Sequence, residues 1–141
     1  MPDDLDDLLL SAVASAIGVA VPRPAGLCDW QAKRVVRYVD EHLDQPIRVG
    51  QLAAVAKLST SRFSRLFVQR FGITPHAYVL ERRMHQAQRL IASTQQPLGE
   101  IAFQCGMADQ SHLCRVFRRR EGTTPAAWRR DQQRASRPDM G

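Results

Sequence analysis

Cysteine and lysine are scarce in this sequence, and long apolar runs are missing from it. The three cysteines, Cys28, Cys105 and Cys114, are odd in number and widely spaced, which argues against a disulfide framework and fits a reducing cytoplasm. No apolar run reaches the roughly 18–20 residues of a membrane-spanning helix. The apolar stretch 8–21 follows four aspartates, where a secretory signal needs positive charge. We therefore expect a cytoplasmic protein that is neither secreted nor embedded in a membrane.

Arginine supplies nearly all of the positive charge, and that charge is unevenly distributed. The 141 residues include eighteen arginines and two lysines, and the formal net charge is +6. Residues 1–29 carry a net charge of −4, whereas residues 30–137 carry +11. Hydrophobic residues make up 44% of the chain, enough for the packed core of one domain. A compact body this basic indicates a polyanionic partner, with nucleic acid ahead of an anionic membrane.

Residues 1–29 differ in character from the rest. Apolar side chains at helical spacing after the acidic start are compatible with a short amphipathic helix, and the proline pair at 22 and 24 ends any helix. We interpret 1–29 as an acidic and apolar arm or linker. The alternative is a segment that docks on a partner protein or a bilayer, although its acidic start argues against anionic lipid.

Helical patterns follow one another from Asp29 onward. Asp29 is predicted to cap a helix that starts at Trp30. Thr74 and Pro75 form a strong helix start, since the hydroxyl caps the helix and proline is tolerated at its first position. The helix they open is predicted over 75–92. Because no stretch alternates with period two, the fold class is predicted to be all-α.

An internal repeat organises this helical body. Segment 49–78 aligns with 98–128, at an offset of 49 residues before the turn and 50 after it, and Asp109 is interpreted as the extra residue. Each copy reads as a short helix, a tight turn, a second helix and then Gly-x-Thr-Pro. This is the pattern of a helix-turn-helix unit, whose second helix enters the DNA major groove.

The second helix of each copy has one apolar and one polar face. The predicted inward residues are Phe63, Leu66, Phe67, Leu113, Val116 and Phe117. The predicted outward residues are Ser61, Ser64, Arg65, Ser111, Cys114, Arg115 and Arg118. Because neither outward face carries an acidic side chain, DNA reading is favoured over a purely structural hairpin.

The distance between the two copies also fits DNA. The helix predicted over 75–92 is 18 residues long, or roughly 27 Å at about 1.5 Å per residue. Two recognition helices held about one DNA turn apart, roughly 34 Å, reach two successive major grooves. Since the outward residues differ between the copies, we expect one chain to bind two unlike half-sites about ten base pairs apart. A palindrome is not expected from a monomer.

A specific motif starts at Pro97 and reads PLGEIAFQCGMADQSHLCRVFRRR, followed after Glu121 by GTTP. It resembles the DNA-binding domain of the AraC/XylS family of bacterial transcription regulators, whose pattern is close to P-[IL]-x-E-I-A-x-x-x-G-F-x-D-Q-S-x-F-x-R-x-F-[KR]-[KR] and then G-x-[ST]-P-x-x-[YW]. It departs from that pattern at Met107 and Leu113, which are usually aromatic, and at Glu121, often phenylalanine. The resemblance covers about residues 30–130.

The resemblance implies seven helices in two homeodomain-like helix-turn-helix subdomains. The implied DNA-binding domain spans 30–133, divided into 30–74, a linker helix at 75–92 and 93–133, with a disordered tail at 134–141. The implied base-contacting residues are Ser61, Ser64, Arg65, Gln110, Ser111, His112, Cys114 and Arg115. The predicted phosphate-contacting residues are Thr60, Arg62, Arg70, Arg82, Arg83, Arg118, Arg119 and Arg120.

The resemblance also implies which partners and which further domains accompany this DNA-binding domain. It implies a sequence-specific regulator at the bacterial nucleoid, not an enzyme, that binds double-stranded promoter DNA and RNA polymerase without a cofactor. Members usually carry a separate effector-binding or dimerisation domain, whereas 29 residues precede the match here. Two alternatives follow: a monomeric stand-alone activator, or the DNA-binding fragment of a larger effector-responsive regulator that a missing domain dimerises.

The cysteines and one turn residue leave further alternatives open. Cys105 is predicted to be a buried structural thiol, whereas Cys114 lies on the expected DNA face, so a redox or alkylation sensor is the enzyme-like alternative. Cys105, His112 and Cys114 do not have zinc-site spacing, and no metal is expected. Lys57 stands where the second copy has Gly106, so the first turn is either strained or avoids positive φ.

Overall fold

Seven helices and no strand make up the part of the protein that is described. The computed structural model describes residues 26–136, so residues 1–25 of the arm predicted at 1–29 and residues 137–141 of the tail predicted at 134–141 lie outside the described residues. The helices are α1 (Asp29–Glu41), α2 (Val49–Val55), α3 (Thr60–Phe71), α4 (Pro75–Ser93), α5 (Leu98–Gln104), α6 (Gln110–Glu121) and α7 (Pro125–Ser136). The predicted all-α class is confirmed. Within 26–136, none of these helices has the length and apolarity that crossing a bilayer requires.

The described chain separates into two compact units. Among residues 26–136, residues 26–42 and 46–80 belong to unit one, and residues 43–45 and 81–136 belong to unit two. The division falls inside α4, which contributes residues to both units. Residues 43–45 follow α1 in sequence but belong to unit two, because Arg83 of α4 bonds to two of their backbone carbonyls.

An aromatic column forms the centre of unit one. Phe63, Phe67 and Phe71 of α3 are fully or almost fully buried, as the four-residue spacing requires for one face of a helix. Phe67 stacks on Phe71 with ring centroids 4.3 Å apart and meets Tyr78 edge-on at 5.6 Å. Leu66, predicted to point inward, is half-buried. These contacts hold α3 by its apolar face and leave its other face outward.

The start of α1 corrects the predicted cap. Asp29 is the first helical residue and Cys28 is the N-cap. The N–H of Cys28 donates to Oε1 of Gln31 at 3.0 Å, and Nε2 of Gln31 donates to the carbonyl of Ala56 at 2.9 Å. The Gln31 side chain therefore supplies the hydrogen-bond acceptor at the start of α1. The Asp29 carboxylate does not cap the helix and forms an ion pair with Arg70.

Arg83 and Gly106 organise unit two. Nε of Arg83 donates to the carbonyl of Leu43 at 3.2 Å, and Nη2 donates to that of Gln45 at 2.7 Å. Burial lowers the pKa of the Arg83 guanidinium, and the nearby Cys105 partly offsets this. Gly106 has φ +73, and a Cβ there would stand 2.1 Å from the Leu43 oxygen. Only glycine fits at this turn.

The two copies repeat each other at their helix ends. Gly72 and Gly122 end α3 and α6 in the left-handed conformation, with φ 80 and φ 77. The hydroxyls of Thr74 and Thr124 then accept from the N–H groups of Ala77 and Ala127, both at 3.1 Å. The predicted Thr-Pro helix starts are confirmed in both copies. The last helix, α7, continues to Ser136, so residues 134–136, which were predicted to belong to a disordered tail, are helical instead.

Of the two alternatives for the first turn, strain is the correct one. Lys57 has φ +60 and is the one non-glycine residue with positive φ among residues 26–136. It follows α2 as Gly106 follows α5, so both copies use the same backbone turn. A side chain in the left-handed region costs about 1–2 kcal/mol.

We expect Lys57→Gly to raise the free energy of unfolding by about 0.5 kcal/mol. Relief of the left-handed strain outweighs the roughly 0.5–1 kcal/mol by which glycine favours the unfolded chain. Denaturant unfolding followed by circular dichroism measures the change. Lys57→Ala is the control, because it removes the same charge and keeps the strain. Equal stability of the two variants would contradict the strain at this turn.

Candidate nucleic-acid interface

The outward face of α3 is short, polar and free of acidic residues. Thr60, Ser61, Arg62 and Arg65 are exposed, and Ser64 is half-buried. Ser59 caps the helix, accepting from the N–H of Arg62 at 3.2 Å. The buried phenylalanines on the opposite side hold this face outward, and small hydroxyls beside an arginine allow close approach to DNA bases.

The outward face of α6 has the same layout with different side chains. Gln110, Ser111 and Arg115 are exposed, whereas His112 and Cys114 are half-buried. Leu113, Val116 and Phe117 are buried as predicted; Phe117 meets Trp128 of α7 edge-on at 5.4 Å. An arginine fork and a glutamine amide match the acceptor and donor patterns of guanine and adenine.

The start of α6 corrects the alignment of the two copies. Asp109 is the N-cap, and its Oδ1 accepts from the N–H of His112 at 2.8 Å. It therefore occupies the place of Ser59 in the first copy and is not the extra residue. The additional residue is Ala108, whose N–H donates to Nδ1 of His112 at 3.3 Å. The prediction that Asp109 caps the helix is confirmed.

The eight residues predicted to contact phosphate fall into three groups. Thr60, Arg62, Arg118 and Arg119 are exposed, and their phosphate contacts stay predictions. Arg120 forms an ion pair with Glu81, and Arg82 is half-buried with a contact of its own.

Arg70 and Arg83 bind other groups of the protein instead. Arg70 donates to the carbonyl of Leu27 at 3.1 Å and pairs with Asp29 at 2.9 Å, and Arg83 holds the backbone of residues 43–45. Because these bonds occupy both guanidinium groups, we leave Arg70 and Arg83 out of the set proposed for DNA.

Sequence reasoning did not predict that two glycines, one on α2 and one on α5, lie beside this surface. A Cβ on Gly50 would lie 3.7 Å from Oγ1 of Thr60, and one on Gly99 would lie 3.5 Å from Oε1 of Gln110. Each glycine thus lies beside the first residue of a recognition helix. The signal in the sequence was their alignment in the repeat, which by itself does not identify the contact.

The three cysteines differ in exposure. Cys28 is exposed, Cys114 is half-buried and Cys105 is fully buried. Burial raises the pKa of the Cys105 thiol to about 11, and Arg89 and Arg83 partly offset this. Among residues 26–136, no cluster of three or more metal-binding side chains occurs.

We expect Cys105 to resist alkylation of the folded protein while Cys28 is modified. With a pKa of about 11, the buried thiol is almost entirely protonated between pH 7 and pH 9, and only the thiolate is an effective nucleophile. Raising the pH from 7 to 9 should therefore still leave Cys105 unmodified, as mass spectrometry of peptides measures. Labelling of Cys105 as fast as in denatured protein would contradict its burial. Labelling of Cys114 much faster than Cys28 would favour the sensor alternative.

Two helix-turn-helix units with outward polar faces define a DNA-binding module, and known proteins share it. The helix-turn-helix domain family matches residues 52–131. The DNA-binding domain of AdpA, a global transcriptional factor solved in complex with a target DNA, is 34% identical; the match covers 77% of this chain and 97% of that one, with a TM-score of 0.71. The C-terminal domain of AraT, a response regulator from Geobacillus stearothermophilus, is 26% identical over 82% of this chain and 95% of that one, also at 0.71.

Curated relatives of this chain are also transcriptional regulators, and they are longer than this chain. LumQ of Photobacterium leiognathi, a probable transcriptional regulator, is 37% identical over 131 residues, covering 87% of this chain and 52% of LumQ. The arabinose operon regulatory protein of Escherichia coli is 30% identical over 126 residues, 89% of this chain and 42% of that protein. The chain therefore spans about half the length of these relatives. It belongs to the AraC/XylS family and carries the AraC-type DNA-binding domain with two helix-turn-helix units.

Proposed function

We propose that this protein is a sequence-specific transcriptional regulator that reads two unlike half-sites, about ten base pairs apart, as a single chain. The observation that carries the proposal is the pair of exposed, acid-free faces on α3 and α6. Their side chains differ, so each face selects its own sequence. The 19 residues of the continuous helix α4, about 28 Å at about 1.5 Å per residue, support a spacing of one DNA turn.

The proposed base contacts follow from the chemistry of the two faces. Arg65 and Arg115 present forks that bind guanine O6 and N7 in pairs, and Gln110 presents an amide that suits adenine. The remaining residues proposed to contact bases are Ser61, Ser64, Ser111, His112 and Cys114. Smaller side chains among them let the helix backbone approach the groove floor.

The proposed phosphate contacts supply affinity without sequence preference. Arg118 and Arg119 are exposed near the end of α6, and Thr60 and Arg62 are exposed at the start of α3. We add Arg82 and Arg120 as residues that exchange their internal contacts for phosphate. Each phosphate neutralised adds about 0.9 to the slope of log affinity against log salt concentration.

In vitro selection of duplex DNA by the full chain tests this proposal. The expected result is two unlike motifs with centres about ten base pairs apart, bound with one protein per duplex by analytical ultracentrifugation. A single motif would show that only one unit reads bases. A palindrome bound by two chains would contradict the monomeric arrangement, and unselected sequences would contradict specific reading altogether.

Regulation through RNA polymerase is the part of the proposal that concerns the whole protein. LumQ is a probable transcriptional regulator, and the arm predicted at 1–29 offers a candidate contact outside the helix-turn-helix units. Transcription in vitro from a promoter that carries the selected site should change when the full chain is added. If removal of residues 1–25, which leaves Leu27 and the N-cap Cys28 in place, preserves DNA binding and abolishes this change, the arm contacts the polymerase. An unaltered effect assigns that contact to the domain.

A further inference from the structure

The second recognition helix contains a histidine whose protonation site is set by its own backbone. The N–H of Ala108 donates to Nδ1 of His112 at 3.3 Å, and the N–H of His112 donates to Oδ1 of Asp109 at 2.8 Å. A backbone N–H can only donate, so Nδ1 accepts and carries no proton. In the neutral imidazole the proton therefore resides on Nε2.

The first recognition helix lacks this arrangement. Ser59 accepts from the N–H of Arg62 at 3.2 Å, but the Arg62 side chain has only donors and cannot accept from the backbone in return. The second copy has one residue more, Ala108, and the N–H of that residue is the one that His112 accepts. The extra residue and the histidine therefore act together, and they make the two helix starts chemically different.

We propose that His112 reads DNA as a hydrogen-bond donor only, through its Nε2–H, and so rejects cytosine at one position of the second half-site. This inference rests on the proposed function and names one base choice within it. In the major groove guanine offers N7 and O6, adenine N7 and thymine O4, whereas cytosine offers the N4 amino group. A donor facing a donor leaves both groups without a partner, which is the unfavourable case for buried polar groups.

His112 keeps this state because its other nitrogen is occupied. The side chain is half-buried against the helix start, and within residues 26–136 the imidazole makes its hydrogen bond through Nδ1 alone. A histidine free at both nitrogens can change tautomer to accept from cytosine. Here that exchange breaks the bond to Ala108, so the ring presents the donor at Nε2.

Asparagine at this position separates the two roles of His112. In His112→Asn the amide oxygen takes the place of Nδ1 and accepts from Ala108, while the shorter side chain ends before the position of Nε2. The helix start is therefore preserved and the base contact is lost. His112→Ala removes both and is the second variant.

Competition binding by the full chain tests the base choice, with every base pair of the selected site replaced in turn by the other three. We expect the wild type to bind about tenfold more weakly when cytosine occupies one position of the second half-site, the effect of one unmade hydrogen bond. His112→Asn should reduce that penalty to below about twofold at this position alone, while its thermal unfolding matches that of the wild type. If His112→Asn rejects cytosine as the wild type does, His112 only caps the helix and the proposal is wrong.

A nitrogen-15 NMR spectrum of the imidazole groups tests the tautomer without DNA. We expect protonated Nε2 and unprotonated Nδ1 at His112 in the free, folded chain. A predominant Nδ1–H form overturns the inference even if the protein binds DNA specifically. If the wild type prefers no base at any position, the proposed function fails and the base choice fails with it, while the nitrogen spectrum still decides the tautomer.

Discussion

Replacing Gly106 by alanine is expected to lower the free energy of unfolding by more than about 3 kcal/mol. The residue has φ +73, and an added Cβ would stand 2.1 Å from the Leu43 oxygen and 2.8 Å from Nε of Arg83. The left-handed conformation alone costs about 1–2 kcal/mol for an L side chain. The carbonyl and the guanidinium must also move, which breaks the bonds that hold residues 43–45 in unit two. Denaturant unfolding measures the loss.

Gly122→Ala is the matched control for that experiment. Gly122 has nearly the same φ, +77, but nothing lies within 4 Å of an added Cβ. It should therefore show the conformational cost alone, about 1 kcal/mol after the smaller entropy of the unfolded alanine chain is included. The difference between the two variants isolates the contact with Leu43 and Arg83. Equal losses would mean that this contact relaxes freely.

Replacing Arg115 by alanine is expected to weaken binding to the selected DNA by about 1–3 kcal/mol and to relax base preference at one position. The side chain is exposed on α6, and the loss of a bidentate pair to guanine removes discrimination as well as affinity. Arg65→Ala should have the same effect in the other half-site. Quantitative binding to the site and to its single-base variants measures both. Unchanged affinity and preference in Arg115→Ala would rule out the proposed docking of α6.

Two controls separate base reading from charge. Arg115→Lys keeps the charge but not the planar fork, so it should restore affinity more than base preference. Arg119→Ala removes an exposed charge on the same helix. It should weaken binding to all sequences about equally and reduce the salt slope by about one. If Arg119→Ala alters the preferred sequence, the assignment of that residue to phosphate is wrong.

Much of the fold was accessible from the sequence because its signals are local. The Thr-Pro starts at Thr74 and Thr124, with caps on residues three positions later, recur in both copies. The glycines that end α3 and α6 mark turns that few other residues adopt. Apolar spacing placed Phe63, Phe67, Leu113 and Phe117 inside and, by the same geometry, Arg65 and Arg115 outside. Helix starts, helix ends and the buried face of a helix depend only on residues within one or two helical turns, so they can be predicted from the local sequence.

Two side chains, Arg83 and Asp29, have surroundings that the sequence did not indicate. Arg83 resembled a phosphate ligand until the carbonyls of Leu43 and Gln45 supplied its partners from 38–40 positions away. Asp29 gave way as a cap to Cys28, because Gln31 supplies the needed acceptor. A carbonyl is the same group in every residue, so its position carries no mark in the sequence. Only folding brings it to a particular side chain.

The scarcity of lysine and the surplus of arginine pointed to a nucleic acid, and the repeat pointed to two reading helices. Composition and periodicity carry this information since net charge and apolar spacing do not depend on distant contacts. Which arginines are available for DNA is a different matter. Arg70 and Arg83 are bound within the protein, whereas Arg118 and Arg119 are exposed. That division, like the Nε2 proton of His112, arises from contacts in the folded chain, because only the fold decides which donors already have a partner within the protein.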